Sequence, residues 1–486
     1  MKTKSFFILS AWVMLLLAML ACSLTGAAKP TATPTTAPTA TTAPTAVQAP
    51  TKSKPTVAPA KSTEEAKPTQ KPEAAQAGLD IASQSSYKDS GGNFHVVGEL
   101  KNSETKALTD LQLTVDIKDA SGKSLLKDSN NNVVDSMTFN PMLATLAPGE
   151  SSPFDFTLSS DAGTPDKWSV TVSGQITAEA VTRPQYEVKN AQLKPNGSDG
   201  FFITGEIFNK SDQEIEIYDL AGAMLDKDKK IVAANTTSDY IIHLLPAGDS
   251  SGMDSTPFRI DVDNPGGSPD QWTTYINAET VQASTAYDVK VDIANHYFDE
   301  NDQYHIVGTV TNNSEETLTT TLVGGLYDKD GVVLDAYSTS IEMNIAPGET
   351  MPYDIDTFSN VSTNSDEAAR LDHFTVQLDP YNTFPSSFES VLLKTDGDKY
   401  DQSGSTWSFS GEVKSTSDKA LSSETVIVEV FDDQNKLVAM GADTLFPSGD
   451  SFAKGDVAPY KADVYLKAGV DSSKFTYKTL AKGYIK

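Results

Sequence analysis

Phe94-His95-Val96-Val97-Gly98-Glu99-Leu100-Lys101-Asn102 decides the reading of this chain, because it comes back three times. The returns are Phe201-Phe202-Ile203-Thr204-Gly205-Glu206-Ile207-Phe208-Asn209, Tyr304-His305-Ile306-Val307-Gly308-Thr309-Val310-Thr311-Asn312 and Trp407-Ser408-Phe409-Ser410-Gly411-Glu412-Val413-Lys414-Ser415. Each places an aromatic four residues before a glycine and apolar residues two before and two after it. That period of two marks a half-buried β-strand. The glycines are 107, 103 and 103 residues apart, one small domain per copy, and repetition at this period implies an array of similar units rather than one large core. The glycine itself reads either as a bulge or close backbone approach, or as room for a large aromatic of the facing sheet.

Outward from this strand the units share further punctuation. A polar turn follows the next apolar strand: Asp119-Ala120-Ser121-Gly122-Lys123, Asp226-Lys227-Asp228-Lys229-Lys230, Asp328-Lys329-Asp330-Gly331 and Asp432-Asp433-Gln434-Asn435-Lys436, residues that suit a hairpin. A second turn reads Leu146-Ala147-Pro148-Gly149-Glu150, Leu245-Pro246-Ala247-Gly248-Asp249, Ile345-Ala346-Pro347-Gly348-Glu349 and Phe446-Pro447-Ser448-Gly449-Asp450, with Pro presetting φ and Gly taking positive φ. Phe154, Phe258 and Tyr353 then open a strand, with Tyr460 the nearest candidate in the fourth unit, and each unit closes on an aromatic at Trp168, Trp272, Phe374 and Phe475. About seven short strands per unit, with only Ser365 to Leu371 offering a helical turn, predict an all-β chain of four tandem immunoglobulin-like antiparallel β-sandwiches. The expected units are 79–183, 184–286, 287–387 and 388–486, joined at short junctions near Arg183, Ala286 and Ser387 that imply a semi-rigid rod.

The units resemble the FxLYD-type domains and the wider group of immunoglobulin-like repeats of bacterial surface lipoproteins. The resemblance rests on the aromatic-x-apolar-x-Gly strand, the Leu326-Tyr327-Asp328 and Val430-Phe431-Asp432 hairpins and the Pro-Gly-Glu turns. The naming motif is degenerate at Met224-Leu225-Asp226 and Ile117-Lys118-Asp119. What it implies is a β-sandwich with no catalytic residues and no common ligand.

Ahead of the units, Lys2 and Lys4 precede an apolar run from Phe6 to Leu20 and then Ala21-Cys22, which reads as a secretory signal over 1–21. It is similar to the bacterial lipoprotein signal, which implies lipid attachment at Cys22, the only cysteine. With one cysteine no intramolecular disulfide exists, so each unit must be held by its apolar core. Residues 22–78 are rich in Pro, Thr and Ala; they have too little apolar surface to offset the entropy of ordering and read as a disordered stalk. The net charge of −28 over 486 residues disfavours nucleic acid, which needs Lys and Arg.

The sequence offers no catalytic residue, no cofactor site and no metal site. His95 and His305 occupy one repeat position, filled elsewhere by Phe202 and Ser408, and read as solvated strand histidines facing outward. No His-x-x-x-His pair, nucleophile elbow or phosphate loop is present. Asp226, Asp228, Asp328 and Asp330 could meet calcium but lack the further oxygens of a calcium loop, and read as hairpin turns; Asp292 to Asp302 reads as a solvated loop. Trp168, Trp272, Tyr304 and Trp407 read as core anchors rather than a sugar-stacking face, and separate sandwiches offer no cleft for paired acids. The expectation is a non-enzymatic, extracytoplasmic, membrane-anchored lipoprotein at a bacterial cell surface. Its partners are membrane lipid, through an acyl anchor, and a protein or polysaccharide surface ligand. The alternative is a solute- or polysaccharide-binding lipoprotein using the loops of one unit, with or without calcium. The third unit is the candidate for that, because its segment Phe358 to Phe388 is longer and carries Tyr381 and Phe384.

Overall fold

The computed structural model describes residues 78–176, 181–196, 200–237, 241–248, 254–266, 269–282, 286–356, 358, 361 and 366–486. The signal segment 1–21, Cys22 and the stalk up to residue 77 lie outside the described residues. Among the described residues no helix is long and apolar enough to cross a membrane.

The described chain is all-β and consists of four tandem immunoglobulin-like antiparallel sandwiches. Unit 1 contains β1 (Leu79–Lys88), β2 (Phe94–Asn102), β3 (Leu108–Lys118), β4 (Met137–Phe139), β5 (Ser151–Leu158) and β6 (Lys167–Ile176). Unit 2 contains β7 (Tyr186–Asn196), β8 (Gly200–Asn209), β9 (Ile215–Leu225), β10 (Ile231–Thr237), β11 (Leu244–Leu245), β12 (Ser255–Asp263) and β13 (Gln271–Thr280). Unit 3 contains β14 (Val289–Phe298), β15 (Tyr304–Asn312), β16 (Leu318–Thr319), β17 (Thr321–Asp328), β18 (Val333–Ser340), β19 (Thr350–Ile355), α1 (Asp366–Arg370), β20 (Leu371–Leu378) and β21 (Phe384–Pro385). Unit 4 contains β22 (Ser390–Ser403), β23 (Thr406–Lys414), β24 (Leu421–Phe431), β25 (Leu437–Leu445), β26 (Val457–Tyr465) and β27 (Thr476–Ile485).

Every unit repeats one plan. A first sheet pairs β1-β2-β5, β7-β8-β12, β14-β15-β19 and, in unit 4, β22-β23-β26. A second sheet packs on it: β4-β3-β6, β10-β9-β13, β18-β17-β20 and β25-β24-β27. That is six principal strands per unit rather than seven. The seventh expected strand shrinks to two-residue pieces such as β11 and β16, because the Pro-Gly turn leaves room only for single bridges such as Leu108 with Leu146. In unit 4 the long β22 serves both sheets, pairing through Ser390 to Leu393 with β27 and through Lys394 to Ser403 with β23.

The recurrent glycine satisfies both of its readings, with one correction. Gly98, Gly205, Gly308 and Gly411 stand directly opposite Phe154, Phe258, Tyr353 and Tyr460. The aromatic therefore comes from the neighbouring strand of the same sheet, not from the facing sheet, and its ring lies over the glycine. On the other side of the glycine the partner strand breaks register, between Ile81 and Ser83, Lys189 and Gln192, Ile293 and Asn295, and Asp396 and Lys399. A bulge and a buried ring converge on one Cα, so a side chain there has nowhere to go. Register also corrects the closing aromatic of unit 4. Tyr477 opposite Val430 is the counterpart of Phe374 opposite Leu326, and Phe475 lies before the strand.

The asparagine ending the repeated stretch is a clamp. The Asn102 amide donates to the carbonyls of Lys106, Leu146 and Ala147, and the Asn209 amide to those of Gln213, Leu245 and Pro246. Each ties two loops to the end of its first sheet with bonds that are costly to lose once buried.

Unit 4 carries a carboxylate inside its sandwich. Glu424 is fully buried beside Val426 and Val428, and neither of its side-chain oxygens has a hydrogen-bond partner. Burial, with the Asp456 charge behind it, pushes its pKa up to about 7. Between the unfolded value near 4.5 and 7 the folded state holds a proton that the unfolded state does not, so stability falls as pH rises through that window. Glu424→Met is expected to be more stable than the parent at pH 8. That advantage should shrink by about 3 kcal/mol on going to pH 4.5, read as urea midpoints at both pH values.

Candidate functional site

Alternation along β2 sends Phe94, Val96 and Leu100 into unit 1 and His95, Val97 and Glu99 away from it. His95 and Val97 are nonetheless 2 % and 0 % exposed. The same is true of Phe202 and Thr204 in β8, and of His305 and Val307 in β15. The expectation of solvated histidines is thus overturned. These side chains leave their own core and are covered by the next unit, an interface that strand alternation within one unit cannot show.

The covering element is the same each time. Val97 packs with Ala223, Ile231 and Ala234 of unit 2. Ser85 donates to the carbonyl of Ile231, Gln192 and Thr204 to that of Val333, and Asn295 to that of Val438. Ser85, Gln192 and Asn295 lie opposite Val97, Thr204 and Val307. One donor position on the first sheet of each unit therefore grips the start of β10, β18 or β25 in the following unit.

The outward faces at the two ends differ accordingly. On the second sheet, Ala221, Ala223 and Leu225, then Val323, Gly325 and Tyr327, then Ile427, Glu429 and Phe431 face the preceding unit. Their counterparts in unit 1 are Thr114, Asp116 and Lys118, polar and half-exposed. On the first sheet of unit 4 the corresponding residues are Lys399, Ser408, Ser410, Glu412 and Lys461, half-exposed or exposed. Polar outer faces on the terminal repeats close an array. They also account for Lys118 in unit 1 at the position of Tyr327 in unit 3, since Lys118 is half-exposed.

Each junction carries a charged contact that is at least partly buried. At the first, Arg183 bonds Glu150 of the Pro-Gly-Glu turn at 2.9 Å, the Thr145 carbonyl and Asn277 of unit 2. At the third, Lys482 bonds the equivalent Glu349 at 2.6 Å, and Glu300 accepts from Ser405 and Thr406. At the second, Arg259, 3 % exposed, bonds the fully buried Asp335 at 2.8 Å.

Around the two buried histidines one constellation appears twice. The His95 ring stacks on Tyr87 at 4.4 Å; its Nδ1 lies 3.0 Å from Asp155, and its Nε2 3.4 Å from Asp89 and 4.0 Å from Asp263 of unit 2. The His305 ring stacks on Tyr297 at 4.9 Å; its Nδ1 lies 2.8 Å from Asp354 and its Nε2 3.7 Å from Asp299. Burial opposes protonation of His95, but the hydrogen bond and charge of Asp155, with Asp89 and Asp263, outweigh it and raise its pKa. His305 is raised in the same way by Asp354, Asp356 and Asp299 against burial. Burial raises Asp155, and pushes Asp354 up to about 6.

Beside His95 the junction opens a cleft of about 550 Å³, lined among others by Asp155, Met142, Tyr218, Asn235 and Asp263. Separate sandwiches were expected to leave no cleft; the contact of two of them makes one. Asp226 and Asp328 accept from backbone amides of their own turns, and Asp328 also pairs with Arg370. Asp299 does the same for Asn301 and Gln303. Trp407 and Tyr304 are buried, whereas Trp168 and Trp272 are half-buried against their cores. In unit 3, Tyr381, Phe384 and Phe388 are 50 %, 45 % and 53 % exposed, and Asp379 reaches His243 of unit 2 at 2.9 Å.

Comparison with protein-family models gives no match, and comparison with curated proteins gives none. Among solved structures, red sea bream transglutaminase shares 10 % identity over 41 % of this chain and 29 % of its own, with a TM-score of 0.14. Native Escherichia coli alpha-2-macroglobulin shares 8 % over 82 % of this chain and 28 % of its own, with a TM-score of 0.12. A Salmonella alpha-2-macroglobulin mutant shares 9 % over 82 % and 29 %, also at 0.12. The chain thus spans less than a third of the length of each of these proteins, and likenesses this distant bear on no activity.

Proposed function

We propose that this chain is a non-enzymatic lipoprotein, tethered through an acyl group on Cys22 to the outer face of a bacterial membrane. Its four sandwiches act as a preassembled scaffold that presents a surface for binding, adhesion or envelope structure. The observation that carries the reading is the repeated junction with polar faces at both ends. The buried outward side chains are spent on holding units together. The resemblance to FxLYD-type repeats and the charge of −28 fit an exposed, soluble array. Mass spectrometry of the membrane fraction should find an acylated N-terminal peptide beginning at Cys22, and Cys22→Ser should release the protein from the membrane. An unmodified N-terminal peptide from membrane-bound protein would defeat the anchor.

A second reading, polysaccharide binding by unit 3, is favoured by the three exposed aromatics Tyr381, Phe384 and Phe388, since exposed rings stack on sugar faces. Signal on a glycan array that Tyr381→Ala abolishes supports it; silence with and without calcium removes it.

A further inference from the structure

The geometry points to a divalent transition-metal ion, Zn²⁺ foremost, bound at each junction histidine: by His95 with Asp89 and Asp263, and by His305 with its surrounding aspartates. Both constellations lie at the junctions on which the scaffold reading rests, and a bound ion goes beyond that reading.

The donor geometry is most developed at His95. Nδ1 is held by Asp155 at 3.0 Å, which orients the ring and leaves Nε2 facing Asp89 at 3.4 Å and Asp263 at 4.0 Å. One donor atom from each of His95, Asp89 and Asp263 lies within 4.8 Å of the others. Ligands about 2.0–2.2 Å from a zinc ion stand roughly 3–3.5 Å apart, so the first pair is already spaced for it. Asp263 ends β12 with its side chain 53 % exposed, and is placed to close the remaining gap. A carboxylate behind the imidazole is the usual support of a metal-bound histidine. The adjoining cleft gives the ion an entry path and room for water ligands.

The second constellation supplies an independent observation. His305 is 1 % exposed, yet its Nε2 has no hydrogen-bond partner, and neither does Oδ1 of Asp354. Donor atoms of His305, Asp354 and Asp356 also lie within 4.8 Å of one another. A buried ring nitrogen without a partner is costly, and this one faces Asp299 at 3.7 Å just as Nε2 of His95 faces Asp89 at 3.4 Å.

Charge gives the valence. Three carboxylates surround each histidine: Asp89, Asp155 and Asp263, or Asp299, Asp354 and Asp356. Three carboxylates around one imidazole favour a divalent cation over a monovalent one. The middle junction carries no histidine at this position. There the residue opposite Thr204, where unit 1 has Asp155 opposite Val97, is Arg259, and a permanent cation is built in. One nitrogen among carboxylate oxygens selects a borderline ion such as Zn²⁺ over Ca²⁺, which takes oxygen ligands alone.

The test is equilibrium dialysis of the untagged mature chain against Zn²⁺ at pH 7.5, with metal analysis and thermal melting, and Ca²⁺ as control. Two ions per chain are expected, with a raised melting temperature. His305→Asn should remove one ion. Asp263→Asn, half-exposed and harmless to the fold, should remove the other; its melting curve without metal should match the parent. The proposal is overturned if the parent binds no Zn²⁺, if Ca²⁺ binds equally well, or if both ions persist in the double variant, which would place them on surface groups such as His373.

Discussion

Arg259→Ala is expected to lower the unfolding free energy by about 3–5 kcal/mol, the cost of stranding a buried charge. Arg259 lies on β12 of unit 2, but its partner Asp335 belongs to β18 of unit 3 and is fully buried. A second contact, to Asp261 at 2.9 Å, holds the guanidinium from its own strand. The guanidinium also lies 5.2 Å from the ring of Phe202 and 6.0 Å from that of Tyr337, one aromatic from each unit. Removing it leaves Asp335 without this cation in an apolar contact. Arg259→Lys should recover little, because an ammonium cannot serve two carboxylates and two rings from one plane. The pair Arg259→Met with Asp335→Leu should recover most of the loss, since apolar replacement of both partners removes the stranded charge. Urea unfolding of the four proteins measures this directly; equal midpoints for Arg259→Ala and the parent would show that the ion pair does not hold the junction.

Gly98→Val should cost about 3 kcal/mol, at the upper end of overpacking penalties. A Cβ on Gly98 would meet the Ser83 carbonyl oxygen and come within 2.5 Å of the Phe154 ring. Backbone on one side and a buried ring on the other leave no direction for relief. Gly308 faces the same pair of obstacles, the Asp292 carbonyl oxygen and the Tyr353 ring. At Gly411 the obstacles are the Asp398 side chain and the Tyr460 ring, both at 2.7 Å, and side chains can move. The penalty should therefore be similar at Gly98 and Gly308 and clearly smaller at Gly411. Chemical denaturation of the three single variants gives the ranking, and a uniform small effect would contradict the packing described for the repeated strand.

Much of the fold was legible because its determinants are local. Alternation around Gly98 and its copies, the Asp-led hairpins and the Pro-Gly turns each specify a strand or a turn within a few residues. The aromatic over the glycine was also visible, as Phe154, Phe258, Tyr353 and Tyr460, although its sheet was not, because register between strands is set by bulges that no residue type announces. The junctions were hidden for a different reason. His95 alternates out of its own core and looks solvated until a strand from the next hundred residues covers it, and Asp263, which completes its surroundings, is 168 residues away. A signal was nevertheless present in the outward positions of the second sheet, which change from Thr114, Asp116 and Lys118 to Ala221, Ala223 and Leu225. Comparing the outward rather than the inward residues of each repeat would have exposed the interface and its polar ends.

The central claim is that each sandwich is completed by the next one in line. Ending the chain at Ser387 uncovers Tyr297, His305 and Val307 while leaving every strand of unit 3 intact. The decisive measurement is the denaturant midpoint of unit 3 in the full chain and in the shortened one, followed by hydrogen exchange in β14 and β15. A clear drop in midpoint on shortening, with faster exchange in those strands, is the expected result. An unchanged midpoint and unchanged exchange would mean that the four sandwiches are independent beads and that the shared junction contributes nothing.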